Sequence, residues 1–278
     1  MKNIVITILV ILVLGLGGYL VYDKILSNNN TYNENNKMDN QNNVVLEELD
    51  INSKEVQDLF APFDYYLDAS KEELYPKDKI TTSDLSNEYK NRLAFAKYWN
   101  ENGKYEGTEN VDGILLNKLT SSTLGEYYKK VFGTGVQYAP ISFNSYHIAS
   151  LEMTYDSQKN IYIASQNAGE VATFRYGTEL YKAIKKGNTI ELYEYVVVFN
   201  YNWDKKLAGV YRNISDAINF QNAIKETISS DLTVLMKYYD YEGVKDNLSE
   251  YKEFASQYKL IFTNENGNYV FASIEKIK

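Results

Sequence analysis

Few residue types in this sequence could carry out catalysis. The chain contains no cysteine and a single histidine, His147. Without cysteine it can form no disulfide, thiolate nucleophile, cysteine-ligated metal site or lipid-modified cysteine. A single imidazole also rules out a metal site built from several histidines of this chain. We therefore expect no metal and no cofactor, and any catalysis would have to use carboxylates, hydroxyls or amines.

Two motifs place such groups at suggestive spacings. Ser249 and Lys252 have the Ser-x-x-Lys spacing that puts a serine nucleophile and its amine base on one helix face. The companion Ser-Asp-Asn and Lys-Thr-Gly motifs are absent, so solvated side chains are the simpler interpretation. His147 precedes Glu152 and Asp156, but no Gly-x-Ser-x-Gly elbow exposes a serine. A structural or surface histidine is therefore favoured over a general base.

Carboxylates alone could still support hydrolysis. Glycosidase-type reactions need two carboxyl groups on opposite sides of a cleft. Among 37 acidic residues, Glu191 and Glu194 are the pair to inspect, because they flank an otherwise apolar and aromatic strand. Ion pairing or a solvated face is the simpler alternative for both.

Aromatic residues occur beside short polar ones at 63–66, 201–203 and 238–241. Proteins use flat aromatic faces next to polar groups to bind sugar rings and peptide segments. The alternative is core packing, in a chain whose 27 tyrosines also fit A/T-rich codon usage. The residues that we predict to bind a ligand are Tyr65, Tyr201, Trp203 and Tyr239.

Charge and glycine patterns argue against nucleic acids and nucleotides as partners. The chain has 29 Lys and Arg against 37 Asp and Glu, a net charge of -8, and no basic segment. A phosphate-tracking surface needs clustered cations. Gly133-Thr134-Gly135 lacks the third glycine and the downstream helix of a dinucleotide fingerprint, and no phosphate-binding Gly-Lys-Ser/Thr loop is present.

The N-terminal residues 4–22 read IVITILVILVLGLGGYLVY, without a charged side chain. As a helix they would extend for about 28 Å, which matches the hydrocarbon core of a bilayer. Bulky residues at 19–22 stand where a signal peptidase requires small ones. We therefore predict an uncleaved transmembrane signal-anchor over 1–26, with the lipid bilayer as its partner.

Basic residues near the two ends of the span predict its orientation. Lys2 and the α-amino group precede the span, whereas Asp23 offsets Lys24 beyond it, which favours an N-terminus in the cytoplasm. The next segment, 27–43, has nine Asn among 17 residues and almost no aliphatic side chain, so we predict a disordered linker. Any function then belongs to residues outside the cytoplasm, at the surface of the cell membrane.

Apolar spacing from residue 44 onward predicts an α+β domain. Helices are predicted over 82–99, from 123 to the glycine at 133, and over 216–237. Hairpins are predicted over 148–163, 180–199 and 258–274, the last with an Asn-Gly turn. No second break in composition is evident. We therefore predict a single domain over 44–278 with an antiparallel, curved sheet and helices packed on one face, preceded by one transmembrane helix.

The segments TTSDLSNEYKNRLAFAKYW and YKLIFTNENGNYVFASIEK, with the anchor and the Asn-rich linker, carry a resemblance. In layout the chain resembles uncharacterised, single-anchor extracytoplasmic proteins of low-GC Gram-positive bacteria, whose domains are often cystatin-like or like nuclear transport factor 2. The resemblance implies a location outside the cytoplasm and a curved sheet with helices across it. It includes no catalytic motif and transfers no site residue.

These observations favour a membrane-tethered binding or scaffold module of the cell envelope. Its expected partner is an envelope protein, peptide or polysaccharide. An Asp/Glu-dependent envelope hydrolase is the alternative, and two facing carboxylates in a pocket would support it. A structural subunit of a membrane complex is a third hypothesis, which a large exposed apolar patch would favour.

Overall fold

The computed structural model describes residues 46–64, 73–75, 78–145, 151–166, 174–202, 204–229, 248 and 250–278. They belong to a compact unit over 44–278 and have a mixed α/β fold with antiparallel sheets and few helices. Among these residues, no helix is long and apolar enough to cross a membrane. The predicted span at 4–22 and linker at 27–43 lie outside the described residues.

Strands dominate the described residues, with helices grouped mainly in the first half. The strands are β1 (Leu46–Leu49), β2 (Lys79–Thr81), β3 (Gly107–Val111), β4 (Ile114–Thr120), β5 (Phe143–Ser145), β6 (Leu151–Asp156), β7 (Ile161–Gln166), β8 (Phe174–Lys186), β9 (Thr189–Asn202), β10 (Leu207–Tyr211), β11 (Lys225–Ile228), β12 (Ser256–Glu265) and β13 (Asn268–Lys276). The helices are α1 (Lys54–Phe60), α2 (Asn87–Asn102), α3 (Ser121–Phe132) and α4 (Ile214–Asn219).

The described strands pair into two antiparallel sheets. The large sheet has the order β1-β8-β9-β12-β13-β2, with β10 on the second half of β9 and β11 on β10. The small sheet has the order β3-β4-β7-β6-β5. Helix α2 packs on α3 and β5, and α3 packs on β13 and β4. Helix α3 therefore contacts both sheets, and α2 contacts the small one.

Helix α2 is shorter than predicted and is buried on all sides. Thr81 and Asp84 cap a separate 3₁₀ turn, Thr82–Asp84, and Leu85 is extended, so the helix starts only after Ser86. The Ser86 Oγ accepts from the Tyr89 N–H at 3.0 Å and donates to Glu73 at 2.9 Å. Every residue from 89 to 96 is buried. The middle of the helix therefore has no solvent-facing side, and even a polar residue such as Asn91 is completely buried there.

All three predicted hairpins are confirmed, as β6–β7, β8–β9 and β12–β13. Period-two alternation and tight turns specified them locally. A fourth hairpin, β3–β4, was not predicted from the sequence. Its turn is Asp112-Gly113, with both φ angles positive (51° and 87°), the backbone that such hairpins require.

The helix predicted over 216–237 is confirmed for 216–219 and wrong for 220–229. Helix α4 ends at Asn219, and Phe220 and Asn222 have positive φ angles that a helix cannot continue through. Lys225–Ile228 then pairs with β10 as a strand. Pairing with an available sheet edge outweighs the weak helical pattern at this position. Residues 230–237 lie outside the described residues.

Alternate residues of strand β9 point to opposite faces of the large sheet. Ile190, Leu192 and Val196 belong to the main core, which includes residues of the helices and of the small sheet. The side that carries these residues is the inner face. The opposite, outer face bears a second, smaller core, which includes Val197, Phe199 and Tyr251.

Candidate functional site

A cluster of three tyrosines lies on the outer face of the large sheet. Tyr193 and Tyr195 share that face because they are two residues apart in β9. Tyr181 joins them from β8, where an irregularity between Leu180 and Lys182 inserts one residue into the ladder. The ring centroid of Tyr181 lies 4.3 Å from that of Tyr195 and 6.1 Å from that of Tyr193. All three side chains are partly exposed, and together they are called the tyrosine cluster.

Two hydroxyls of the tyrosine cluster are held by neighbouring acceptors. The Tyr193 hydroxyl donates to Glu191 at 2.7 Å, and the Tyr181 hydroxyl donates to the Gln257 side-chain oxygen at 3.0 Å. Burial raises the pKa of Tyr181, and burial followed by the Glu191 carboxylate raises the pKa of Tyr193. Both hydroxyls therefore stay neutral at ordinary pH, and their oxygens can still accept a hydrogen bond.

Each carboxylate beside the tyrosine cluster is paired with a lysine. The measured N···O distances are Lys252–Glu179 2.6 Å, Lys259–Glu191 3.7 Å, Lys259–Glu275 3.1 Å and Lys79–Glu275 2.7 Å. Hydrogen bonds from Lys79 and Lys259 lower the pKa of the Glu275 carboxyl. Charges thus alternate across the outer face and form no cluster of one sign.

Two lysines lie loosely over the rings. The Lys182 ammonium is 5.8 Å from the Tyr193 centroid, and the Lys252 ammonium is 6.0 Å from the Tyr195 centroid. These distances are at the outer limit of cation–π attraction, which is worth about 0.5–1 kcal/mol at exposed sites. A ligand that stacks on a ring could displace either ammonium at small cost.

Three comparisons with known proteins bear on the identity of the site. No family model, curated protein or solved structure matches it. No site residue can therefore be transferred from a relative, and the resemblance to single-anchor envelope proteins stays a prediction. The assignment of a site depends on the geometry of this chain alone.

A second polar group lies on the inner face, completely enclosed. Glu194 is 0% exposed and accepts a hydrogen bond of 3.1 Å from the Tyr75 hydroxyl. The Tyr258 hydroxyl donates to the Tyr75 carbonyl. Burial, then the Glu194 carboxylate, raises the pKa of Tyr75 well above its usual range. The adjoining cavity, lined in part by Tyr176, has a free volume of about 10 Å³, the size of about one water molecule.

Glu191 and Glu194 do not face each other. They are three residues apart in one strand, so their side chains lie on opposite faces of the sheet. Glu191 pairs with Lys259 on the outer face, whereas Glu194 lies in the core beside Tyr75. The two carboxyls that the sequence singled out therefore cannot act on one substrate across a cleft.

Of the four residues predicted to bind a ligand, only Tyr201 is among the described residues. It is 3% exposed and belongs to the second core with Phe199 and Val210. Its ring therefore contributes to packing. The other three predicted residues, Tyr65, Trp203 and Tyr239, lie outside the described residues. The same holds for His147 and Ser249.

The tyrosine cluster was missed at the sequence level, although part of its signal was present. Leu192-Tyr193-Glu194-Tyr195 alternates within a predicted strand, which places both tyrosines on one face. The sequence could not show that the face is partly open, because its exposure depends on the other elements. The position of Tyr181 depends on the irregularity in β8, which no residue pattern in the sequence indicates.

A cleft between the helices and the β12–β13 turn is a weaker candidate. It has a volume of about 410 Å³ and lies among α1, α2, α3 and the β12–β13 turn. Its apolar lining is already packed, since Phe63, Val131 and Phe262 are 1%, 6% and 2% exposed. Its rim cations are engaged, because Lys97 and Lys130 contact Glu101 at 3.3 and 2.8 Å. A charged ligand there would have to compete with these ion pairs.

Proposed function

We propose that this chain is a membrane-tethered, non-catalytic binding module of the cell envelope, with the tyrosine cluster as its binding surface. In this proposal 4–22 span the membrane, 27–43 are a flexible linker, and 44–278 with their curved sheet lie outside the cytoplasm. The ligand is an envelope polysaccharide, peptide or protein. One observation carries the proposal: three partly exposed tyrosines adjoin one another on a sheet face whose neighbouring carboxylates Glu179 and Glu191 are each paired with a lysine.

The chemistry of the described residues favours binding over hydrolysis. A carboxylate-dependent hydrolase needs an acid and a base that reach one bond. Glu194 is completely buried, so a polymeric substrate could not reach it in this structure. Glu191 lies on the other face of the sheet. An Asp/Glu-dependent hydrolase therefore gains no specific support from either residue.

Thiol labelling tests the topology, and the cysteine-free chain gives no background. Ser157 is exposed in the turn between β6 and β7. We expect Ser157→Cys to react with a membrane-impermeant maleimide in intact cells. The matched variant Asn3→Cys should react only after lysis. Reaction of Asn3→Cys alone in intact cells would reverse the proposed orientation, and reaction of neither before lysis would remove the extracytoplasmic location.

Co-sedimentation tests the binding surface. The full-length chain, in non-ionic detergent, is mixed with washed envelope fragments and centrifuged. We expect the double variant Tyr193→Ala/Tyr195→Ala to bind about tenfold more weakly or worse, because it removes two of the three rings. Tyr155→Ala, which removes a partly exposed tyrosine from the small sheet, is the control and should bind normally.

A second pair of variants guards against a folding defect. Tyr193→Phe and Tyr195→Phe keep the rings and remove only the hydroxyls, so both should bind within about threefold of the parent chain. Equal sedimentation of the parent and the double alanine variant would contradict the proposal. So would a loss of binding in the Tyr155→Ala control as large as in the double variant.

A further inference from the structure

We propose that the ligand of the tyrosine cluster is an uncharged polysaccharide, whose sugar rings pack against the phenol rings while its hydroxyls bond to the surrounding polar side chains. This inference rests on the proposed function and names the ligand class for the same surface. It follows from three features of the outer face: the rings, the polar groups around them, and the pairing of charges.

The rings supply an apolar surface of the right kind. A sugar ring has faces of C–H groups and a rim of hydroxyls, so its faces pack on aromatic rings through dispersion and C–H to π contact. Tyr181 and Tyr195 stack with an interplanar angle of 29°, and Tyr193 extends the cluster at 6.1 Å. The Lys252 ammonium lies 6.0 Å from the Tyr195 centroid and the Lys182 ammonium 5.8 Å from that of Tyr193, so neither lysine is in close contact with a ring.

The polar groups beside the rings suit hydroxyls. Glu191 and Gln257 already accept from the Tyr193 and Tyr181 hydroxyls, which fixes the orientation of both phenols. A carboxylate and an amide oxygen each have lone pairs left for another donor. Lys252 and Lys259, which pair with Glu179 and Glu191 beside the cluster, provide N–H donors. Donors and acceptors therefore alternate around the rings, as the hydroxyls of a sugar, which both donate and accept, require.

The charge pattern selects an uncharged polymer. Each of the three carboxylates near the cluster, Glu179, Glu191 and Glu275, is within 3.7 Å of a lysine ammonium. An anionic polymer binds where several cations adjoin without counter-charges, and a cationic one needs the reverse. Neither arrangement exists on this part of the described sheet. A polymer of either sign would have to break ion pairs that an uncharged polymer leaves intact.

The position of the tyrosine cluster outside the best-defined cavities favours a glycan over a peptide. Peptide segments are anchored by side chains that enter pockets. The three best-defined cavities among the described residues are not lined by Tyr181, Tyr193 or Tyr195. A ligand that binds by stacking and by hydrogen bonds at its edge needs no pocket.

Affinity electrophoresis tests the ligand class. Envelope polysaccharide from the cells that produce the protein is separated by anion exchange into uncharged and anionic fractions. Each fraction is cast into a native gel, and the full-length chain is run in non-ionic detergent. We expect retardation in the uncharged fraction, with a dissociation constant that changes less than about twofold between low and high salt, because no net charge is neutralised.

Variants assign the retardation to the surface. Tyr193→Ala and Tyr195→Ala should weaken it about tenfold, Tyr193→Phe less than threefold, and Tyr155→Ala not at all. Lys182→Met should retain binding, since its ammonium only covers a ring. A strongly salt-sensitive loss on Lys182→Met would point to an anionic ligand and overturn the inference.

The outcomes separate this inference from the proposed function. Retardation by the anionic fraction alone, abolished by Tyr195→Ala, would refute the uncharged ligand and leave the binding surface standing. Retention of envelope proteins or peptides by the cluster, with no retardation by either polysaccharide fraction, would do the same. Retardation by the uncharged fraction that all tyrosine variants preserve would refute the inference and the tyrosine cluster together.

Discussion

The two faces of β9 use the same residue types for opposite purposes. On the inner face, Glu194 accepts from the Tyr75 hydroxyl at 3.1 Å in a site with no solvent exposure. On the outer face, Glu191 accepts from the Tyr193 hydroxyl at 2.7 Å, with lysine beside it. The first pair fixes a buried segment to the sheet, and the second orients an accessible ring. The surroundings of a tyrosine–carboxylate pair, more than its chemistry, decide whether it stabilises the fold or meets a ligand.

Removing the carboxylate on each face should give the largest difference in stability between the two faces. We expect Glu194→Ala to lower the free energy of unfolding by about 2–4 kcal/mol, because it leaves a cavity and a buried hydroxyl without its acceptor. Glu191→Ala should change it by less than about 1 kcal/mol, as is usual for partly exposed ion pairs. Urea unfolding followed by tyrosine and tryptophan fluorescence measures both. Equal losses would show that burial does not distinguish the two sites.

Alkaline pH should lower the stability of the protein through the buried hydroxyls of the inner face. Burial raises the pKa of Tyr75 and of Tyr258 in the folded protein, whereas an unfolded tyrosine titrates near pH 10. Stability from these groups is therefore complete below about pH 10 and falls as pH rises further, by about 1.4 kcal/mol per pH unit for each group. Urea unfolding at several pH values above 9 measures the slope. Tyr75→Phe should reduce it, and an unchanged slope would argue against a raised pKa at Tyr75.

Deleting one hydroxyl on each face makes the same chemical change in two environments. Tyr75→Phe should lower the free energy of unfolding by about 1–3 kcal/mol, because Glu194 loses a buried donor. Tyr193→Phe, the matched control, should lower it by about 0.5 kcal/mol or less, since water can replace its hydroxyl at Glu191. Thermal and urea unfolding give both values. A larger loss for Tyr193→Phe would invert the roles assigned to the faces.

The outer-face ion pairs should have the smallest effect on stability. Lys259→Met removes the cation that contacts both Glu191 and Glu275, and we expect a change within about 0.5–1 kcal/mol. The sensitivity of unfolding to added salt should decrease slightly, because two screened contacts are lost. A loss comparable to that of Glu194→Ala would mean that the outer charges are essential to the fold.

Local patterns predicted the hairpins, whereas long-range contacts were beyond the sequence. The alternation in β8 and β9 and the Asn266-Gly267 turn of β12–β13 each act within a few residues, so the sequence indicated them directly. The assembly of the large sheet depends on long-range pairings such as Leu46 with Lys186. Such pairings depend on the whole chain and leave no periodic trace.

The candidate site shows the same limit. The sequence singled out Glu191 and Glu194 by their unusual setting in an apolar strand, and counting residues places them on opposite faces. It favoured Tyr201, whose ring is in the second core, over Tyr195, whose ring is partly exposed. Both are outward-facing tyrosines of one strand. The difference is the cover supplied by residues such as Tyr251, about 50 residues further along the chain.

The pairing of β1 with β8 has a consequence for the order of folding. Strands β8 and β9 are joined by two residues and share the longest ladder among the described strands, so they can associate quickly and locally. Strand β1 joins the same ladder from about 140 residues upstream, through four residue pairs. A chain that emerges N-terminus first must therefore keep its β1 segment unpaired until β8 has been synthesised. During that interval β1 lacks its partner strand β8, so the pairing of β1 is a late step in the formation of the large sheet.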